Sequence, residues 1–202
     1  MKIKTVKVGY LETNCYIVSI DNDCLIIDPG DDVDKIINEI GNLKPIGIII
    51  THYHFDHIGA LKELVNKYNV KIYDYKLEEK EYAIDNFKFK IIYTKGHDDT
   101  CITIYFEKEK VMFVGDFIFK DSIGRIDFEN SNKKDMFESI NKIKKYSNDI
   151  TLYPGHGEIT NLGYEKENNI YFKNAQWLCK IGYKKDKNAQ YFENIVHFCV
   201  YK

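Results

Sequence analysis

The sequence predicts a layered α/β fold in which helices cover sheets. Three observations carry this reading. Short runs that are apolar or alternating, of strand length, are interleaved with segments of helical periodicity. The same order of elements comes twice, in two halves of similar layout, and no low-complexity linker divides the chain. With 202 residues, 44% of them hydrophobic, there is enough apolar material for one domain with a substantial core.

The elements follow in chain order. Residues 3–10 and 15–20 alternate or run apolar and read as strands, and residues 24–27 read as a third after the turn Asp21-Asn22-Asp23. Asp28-Pro29-Gly30 closes that run with strong turn chemistry. A helix comes next: Val33, Ile36, Ile37 and Ile40 recur at helical spacing, acidic residues crowd the first turn, and Gly41 suits the end. Residues 46–50 form a continuous apolar run of the kind buried on both faces of a sheet. Residues 58–68 read as a helix with Leu61, Leu64, Val65 and Tyr68 on one face, and 70–75 as a strand. The charged stretch 76–86 reads as irregular. In the second half, residues 87–93, 101–106 and 111–114 are predicted strands. Residues 131–146 are a predicted helix with Met136, Phe137, Ile140 and Ile143 inward, and 150–153 a further strand.

Chemistry-bearing residues gather where these strands end. Six histidines occur, and three lie within six residues, in Thr51-His52-Tyr53-His54-Phe55-Asp56-His57 directly after the apolar run. His97, Asp116 and His156 follow the strands at 87–93, 111–114 and 150–153. Strand ends line one rim of a sheet, from which loops held by rigid elements converge on a site. In His52-x-His54-x-Asp56-His57 the alternation along an extended segment lets two imidazoles share one ion, while Asp56 and His57 point away to serve a second. Imidazole and carboxylate suit Zn²⁺ and also Fe or Mn. With no cysteine in the segment, an open catalytic site is favoured over a closed structural one.

Together these pieces resemble the metallo-β-lactamase superfamily and, within it, the compact form of the glyoxalase II-like (hydroxyacylglutathione hydrolase-like) branch. The matching motifs are residues 51–59, Gly96-His97, Gly115-Asp116-Phe117-Ile118-Phe119 with Gly124-Arg125-Ile126-Asp127, and Tyr153-Pro154-Gly155-His156-Gly157. Thr13-Asn14-Cys15-Tyr16 and Asp28-Pro29-Gly30 also fit. The resemblance implies an α/β fold of the αββα sandwich type, two mixed sheets flanked by helices, with a two-metal centre at one edge. It implies that His52, His54 and His97 bind one ion, that Asp56, His57 and His156 bind the other, and that Asp116 bridges them. The cofactors it implies are two divalent metal ions, zinc first, with iron or manganese as alternatives. The activity it implies is attack by a metal-held hydroxide on the carbonyl of a small thioester of the S-acylglutathione kind, with Asp56 as the catalytic residue that orients the nucleophile. A lactonase or esterase with the same centre, and a persulfide dioxygenase with a single iron, are the alternatives.

Several features depart from that pattern or stand beside it. Ala60 occupies a position where a second glycine is common, and Asp98-Asp99 after His97 makes the rim acidic unless the two carboxylates face solvent. Arg125 and Asp127 are expected to pair and shape the loop after Asp116. Asn14 and Cys15 are read either as groups supporting the metals or as turn and core residues. Tyr53 and Phe55 either wall the pocket or pack under the loop, and His197 lies outside every motif. Residues 1–173 are expected to form the hydrolase domain. Residues 174–202, with Trp177, form an extension expected to pack on it, either covering the pocket or pairing with a second copy through residues 195–201.

The composition excludes some partners. With 29 basic and 31 acidic residues the net charge is −2, which gives no electrostatic reason to bind nucleic acid or an anionic membrane. The expected partner is a small-molecule acyl substrate. No apolar run reaches the length of a membrane span, and the first residues hold no signal-peptide core. Five cysteines without a CxxC pair read as free thiols in a reducing compartment, so a cytoplasmic location is expected.

Overall fold

Alternation along the strands sends neighbouring side chains into different cores, and this builds the layers. A computed structural model describes residues 1–173. Its first sheet has the order β1 (Lys2–Val8), β2 (Thr13–Ile20), β3 (Asp23–Ile27), β4 (Lys44–Ile49), β5 (Lys71–Tyr73). Pairing is antiparallel from β1 to β3 and parallel from β3 to β5. In β2, Cys15 and Ile17 enter a core shared with Ile36 and Ile40 of helix α1 (Val33–Ile40). Tyr16 and Val18 enter the opposite one. A short helix α2 (Phe55–Ile58) and a longer α3 (Leu61–Tyr68) complete the outer layer, with Leu64 in the α1 core.

The second sheet contains β6 (Glu81–Ile84), β7 (Phe87–Tyr93), β8 (Ile102–Phe106), β9 (Val111–Gly115), β12 (Thr151–Pro154) and β13 (Thr160–Asn161). Their spatial order is β13-β12-β9-β8-β7-β6, with one parallel pairing, β12 to β9, and the rest antiparallel. A hairpin of β10 (Ile118–Phe119) and β11 (Ser122–Ile123) stands beside it. Phe87, Phe89, Ile91, Ile104, Phe106 and Phe113 meet Tyr16, Val18, Leu25 and Ile27 between the sheets. The outer face packs Ile92, Met112, Val114 and Leu152 on Met136, Phe137, Ile140 and Ile143 of helix α4 (Lys133–Ile143). Each such fully buried side chain contributes about 1.5–3 kcal/mol. Helix α5 (Leu162–Asn168) adds Leu162 to this core. The result is the expected αββα sandwich of two mixed sheets flanked by helices.

Three local readings need correction. Residues 76–86 are not irregular throughout: β6 pairs with β7 as the edge of the second sheet. Tyr82 and Ile84 turn toward the core and Glu81 and Ala83 toward solvent, and at four residues the strand is short, which limits pairing along its open side. The histidine segment is not extended through position 56, because Phe55–Ile58 turns as a helix that Gly59-Ala60 separates from α3. The two-residue strands β10, β11 and β13 are too short for periodicity to reveal, whereas β12 is the strand expected at 150–153. Helix α4 starts two residues later than predicted, where Asn132 caps it by accepting from the Lys134 and Asp135 amides.

Among the described residues no helix is long and apolar enough to cross a membrane. Cys15, Cys24 and Cys101 are buried free thiols. The readings made for Trp177, Cys179, His197, Cys199, the extension and its pairing segment fall on residues 174–202, outside the described residues.

Candidate metal centre

Every residue singled out as a ligand sits just beyond a strand end or on the short helix that follows one, and the two sheets bring these ends to one edge. His52 and His54 follow β4, with Asp56 and His57 on α2; His97 follows β7, Asp116 follows β9 and His156 follows β12. Ligand atoms of His52, His54 and His97 lie within 4.8 Å of one another, as do those of Asp56, His57 and His156, and those of His52, His57 and Asp116. Asp116 stands between the first two sets: its Oδ2 is 3.7 Å from His97 Nε2 and 3.6 Å from His156 Nε2, and its Oδ1 is 3.3 Å from His57 Nε2. The structure thus gathers all seven.

The backbone supports this closeness. Gly155 lies against the ligands: a Cβ there would overlap Asp116 Oδ1 and crowd the His57 ring. Gly96 has φ +142°, which suits glycine, and α4 packs so tightly on it that a Cβ would overlap Met136. That contact sets the position of His97.

Three of the five imidazoles are oriented by a partner on their far side. His97 Nδ1 faces the Arg125 carbonyl at 2.8 Å, and His156 Nδ1 faces the Leu11 carbonyl at 3.1 Å. His57 Nδ1 is 3.0 Å from Asp28 Oδ2, and that buried carboxylate also accepts from the Thr51 amide at 2.8 Å and the Thr51 hydroxyl at 2.6 Å. In each case Nδ1–H donates outward and Nε2 is left facing the centre. Thr13 Oγ1 donates to Asp56 Oδ2 at 2.8 Å, and His156 Nε2 lies 3.1 Å from the same oxygen.

Burial pushes the His52 imidazole well below the ordinary histidine range, and neighbouring His57 adds to this. Burial likewise lowers His97, against an upward pull from Asp116. For His57 burial acts downward, but Asp116 and Asp28 prevail and hold it well above its usual value. His156 is raised in the same way, burial being outweighed by Asp56 and Asp116. Burial would raise Asp116 and Asp56, yet the surrounding imidazoles hold both below the ordinary carboxylate range. Neutral His52 and His97 and two ionised carboxylates are the donor states a divalent cation requires. Around His57 and His156 a proton supplies positive charge that a cation can take over.

The residues fit a metal. Among the described residues, the buried side-chain nitrogen and oxygen atoms without a hydrogen-bond partner are His52 Nε2, His57 Nε2, Asp116 Oδ1 and Asn14 Oδ1. Leaving such atoms unsatisfied costs about 1–3 kcal/mol each, and three of the four converge on this one point. All-nitrogen-and-oxygen donors with open approach suit zinc, iron or manganese.

Neighbouring residues take definite places. Arg125 and Asp127 pair through two contacts of 2.9 Å, as expected. Asn14 Nδ2 donates to the Pro154 and Gly157 carbonyls at 3.0 and 3.2 Å and so ties down the loop bearing His156. Cys15 is a core residue. Tyr53 packs partly against the α1–α3 core and donates to Asp74, while Phe55 is mostly exposed. Asp99 faces solvent, but Asp98 is buried, accepts from Thr100 and sits 3.7 Å from His54 Nε2, so only one carboxylate adds charge beside the ligands. Asp28 is read from the sequence as a turn and as part of a motif that fits the resemblance, but not as a site residue. The signal lay in its place directly after an apolar strand, the same place held by His97 and Asp116.

Comparisons with known proteins agree with this geometry. A family model described as metallo-beta-lactamase superfamily matches residues 8–85 and 73–156. The chain is 29% identical to "Hydroxyacylglutathione hydrolase GloC" of Haemophilus influenzae, over 85% of this chain and 98% of that protein. The solved structure of BLEG-1 B3 metallo-beta-lactamase is similar with a TM-score of 0.82 and 28% identity, covering 85% of this chain and 99% of that one. TTHA1623, solved in a di-iron-bound form, is similar with a TM-score of 0.77 and 27% identity, covering 83% of this chain and 99% of that one.

Proposed function

The chain belongs to the metallo-beta-lactamase superfamily, and from that premise we propose that it is a hydrolase with a two-metal centre that cleaves a small thioester of the S-acylglutathione kind. One observation carries the reading: two three-ligand sets meet at one shared carboxylate, Asp116. His52, His54 and His97 would hold one ion, Asp56, His57 and His156 the other, and Asp116 both. A relative named hydroxyacylglutathione hydrolase is matched over 98% of its own length, which supports that activity for a chain of this compact size.

When bound, two divalent cations supply an activated water and polarise an acyl carbonyl. The chain's own residues do the rest. Asp28, Arg125 and Leu11 fix the outward nitrogens of His57, His97 and His156, so the donor set is built before substrate arrives. Asp56, held by Thr13, orients the attacking water. A thiolate leaves with little need of a proton, so the mechanism requires no separate acid. Zinc is the metal proposed first; the di-iron-bound neighbour makes iron the alternative to test.

The experiment is metal analysis of the purified protein followed by turnover of S-lactoylglutathione. Two metals per chain and hydrolysis abolished in His54→Ala support the proposal. One iron per chain with oxygen uptake on a glutathione persulfide overturns it.

A further inference from the structure

An aromatic ring walls the His54–His97 side of the centre and plays no part in the donor set. Phe128 lies with its centroid 5.3 Å from that of His54 and 5.6 Å from that of His97, edge-on to both at 77° and 80°. Its residue is still 38% exposed, so the ring is seated on one side and open on another. Single exposed aromatic residues are ordinary on protein surfaces. This one differs in being held. The Arg125 guanidinium lies 4.4 Å from the ring centroid, and its Nε and Nη2 each reach an Asp127 carboxylate oxygen at 2.9 Å. The Arg125 carbonyl faces His97 Nδ1 at 2.8 Å, so the same loop that carries the ring is registered to a ligand.

Arginine's planar fork suits two-point recognition of a carboxylate, and its face suits an aromatic ring. Here Asp127 takes two donors of the fork and Phe128 takes the face. We infer that Phe128 is the apolar shelf that receives the acyl substituent beside the scissile carbonyl, with Arg125 and Asp127 as positioning residues that hold it. This rests on the acyl-hydrolase reading above. It names the substrate class: acyl groups with an aliphatic chain are preferred over the shortest ones.

The test uses the full-length, metal-loaded protein and the S-acetyl, S-butanoyl and S-hexanoyl esters of one thiol, glutathione. A fully buried methylene is worth about fourfold in affinity, and one resting on a half-exposed ring about twofold. For the wild type, KM is expected to fall roughly fourfold for each two-methylene step. Phe128→Ala should flatten this gradient while retaining metal, and Phe128→Leu should restore most of it. Arg125→Gln should weaken it although no acyl group touches that side chain. Binding of acetate, butanoate and hexanoate, measured by calorimetry, gives a second readout that needs no turnover. An unchanged gradient in Phe128→Ala overturns the inference, as does loss of metal from that variant, which would make the ring a structural support. If the wild type cleaves no thioester but binds the longer carboxylates more tightly through Phe128, the shelf stands and the thioesterase reading fails. If it cleaves all three esters with no gradient, the reverse holds.

Discussion

Asp28 shows how much a single residue outside the donor set decides. It is buried, takes a left-handed backbone with φ 51°, and accepts three hydrogen bonds from Thr51 and His57. Aspartate tolerates that conformation better than most L-residues, for which it costs about 1–2 kcal/mol. Asp28→Ala should therefore weaken metal affinity at the proposed Asp56–His57–His156 set by about 10- to 100-fold, read by metal titration, and lower stability as well. Asp28→Asn keeps the backbone preference and isolates the loss of charge on His57. Asp56 is the sharper test of chemistry: Asp56→Ala should cut kcat and lose metal, and full activity in that variant would sink its assignment. Asn14→Ala releases the loop carrying His156 and should raise KM and lower metal content without unfolding the chain, checked by circular dichroism.

At the scale of elements, the loops over the centre are held by anchors placed some way from it. The β10–β11 hairpin follows Asp116 and is fixed by Glu165 of α5, a fully buried carboxylate. Glu165 accepts from the Thr160 hydroxyl at 2.5 Å, the Asp121 amide at 3.1 Å and Asn169 Nδ2 at 2.8 Å. Glu165→Ala strands these donors at about 1–3 kcal/mol each, so Tm should fall by roughly 5 °C or more in a thermal melt. Gly155 is the corresponding anchor between β12 and the ligands, because its missing Cβ leaves room for Asp116 and His57. Gly155→Ala should lower metal content more than it lowers Tm. Most elements were legible because their burial repeats: α1 and α4 show helical spacing, and β7 shows alternation. The turn α2 and the edge strand β6 were not. Each has only four residues, too few for a period, and the charged run 76–80 just before β6 gives the segment the look of a loop.

For the molecule as a whole, the centre is a junction between the two sheets. The first sheet's β4 leads to four of the seven residues, while the second sheet supplies His97, Asp116 and His156 through β7, β9 and β12. A ligand that binds only when both sheets are in register stabilises the fold by mass action, about 2.7 kcal/mol at a free concentration one hundred times Kd. Removing metal with a chelator should lower Tm by several degrees and restoring zinc should recover it; an unchanged Tm would mean that the junction is held without the ions. Burial separates the donors too: His57 is fully enclosed, whereas His156 stays partly open on the solvent side. Metal on the Asp56–His57–His156 side is therefore expected to exchange through the His156 edge.

The sequence by itself determined the fold class and the seven candidate ligands. Both are written in local patterns: apolar runs of strand length, helical spacing, and histidines and aspartates placed at strand ends. Only the tertiary structure decided which groups stand behind those ligands. Asp28 is 29 positions from His57, and Arg125 is 28 from His97. No local period links such pairs: Asp28 meets His57 because β3 and β4 run side by side in parallel and end together, and Arg125 meets His97 because the loop after β11 folds onto the one after β7. The stacking of the two sheets then seats Phe128, beyond β11, against His54, beyond β4.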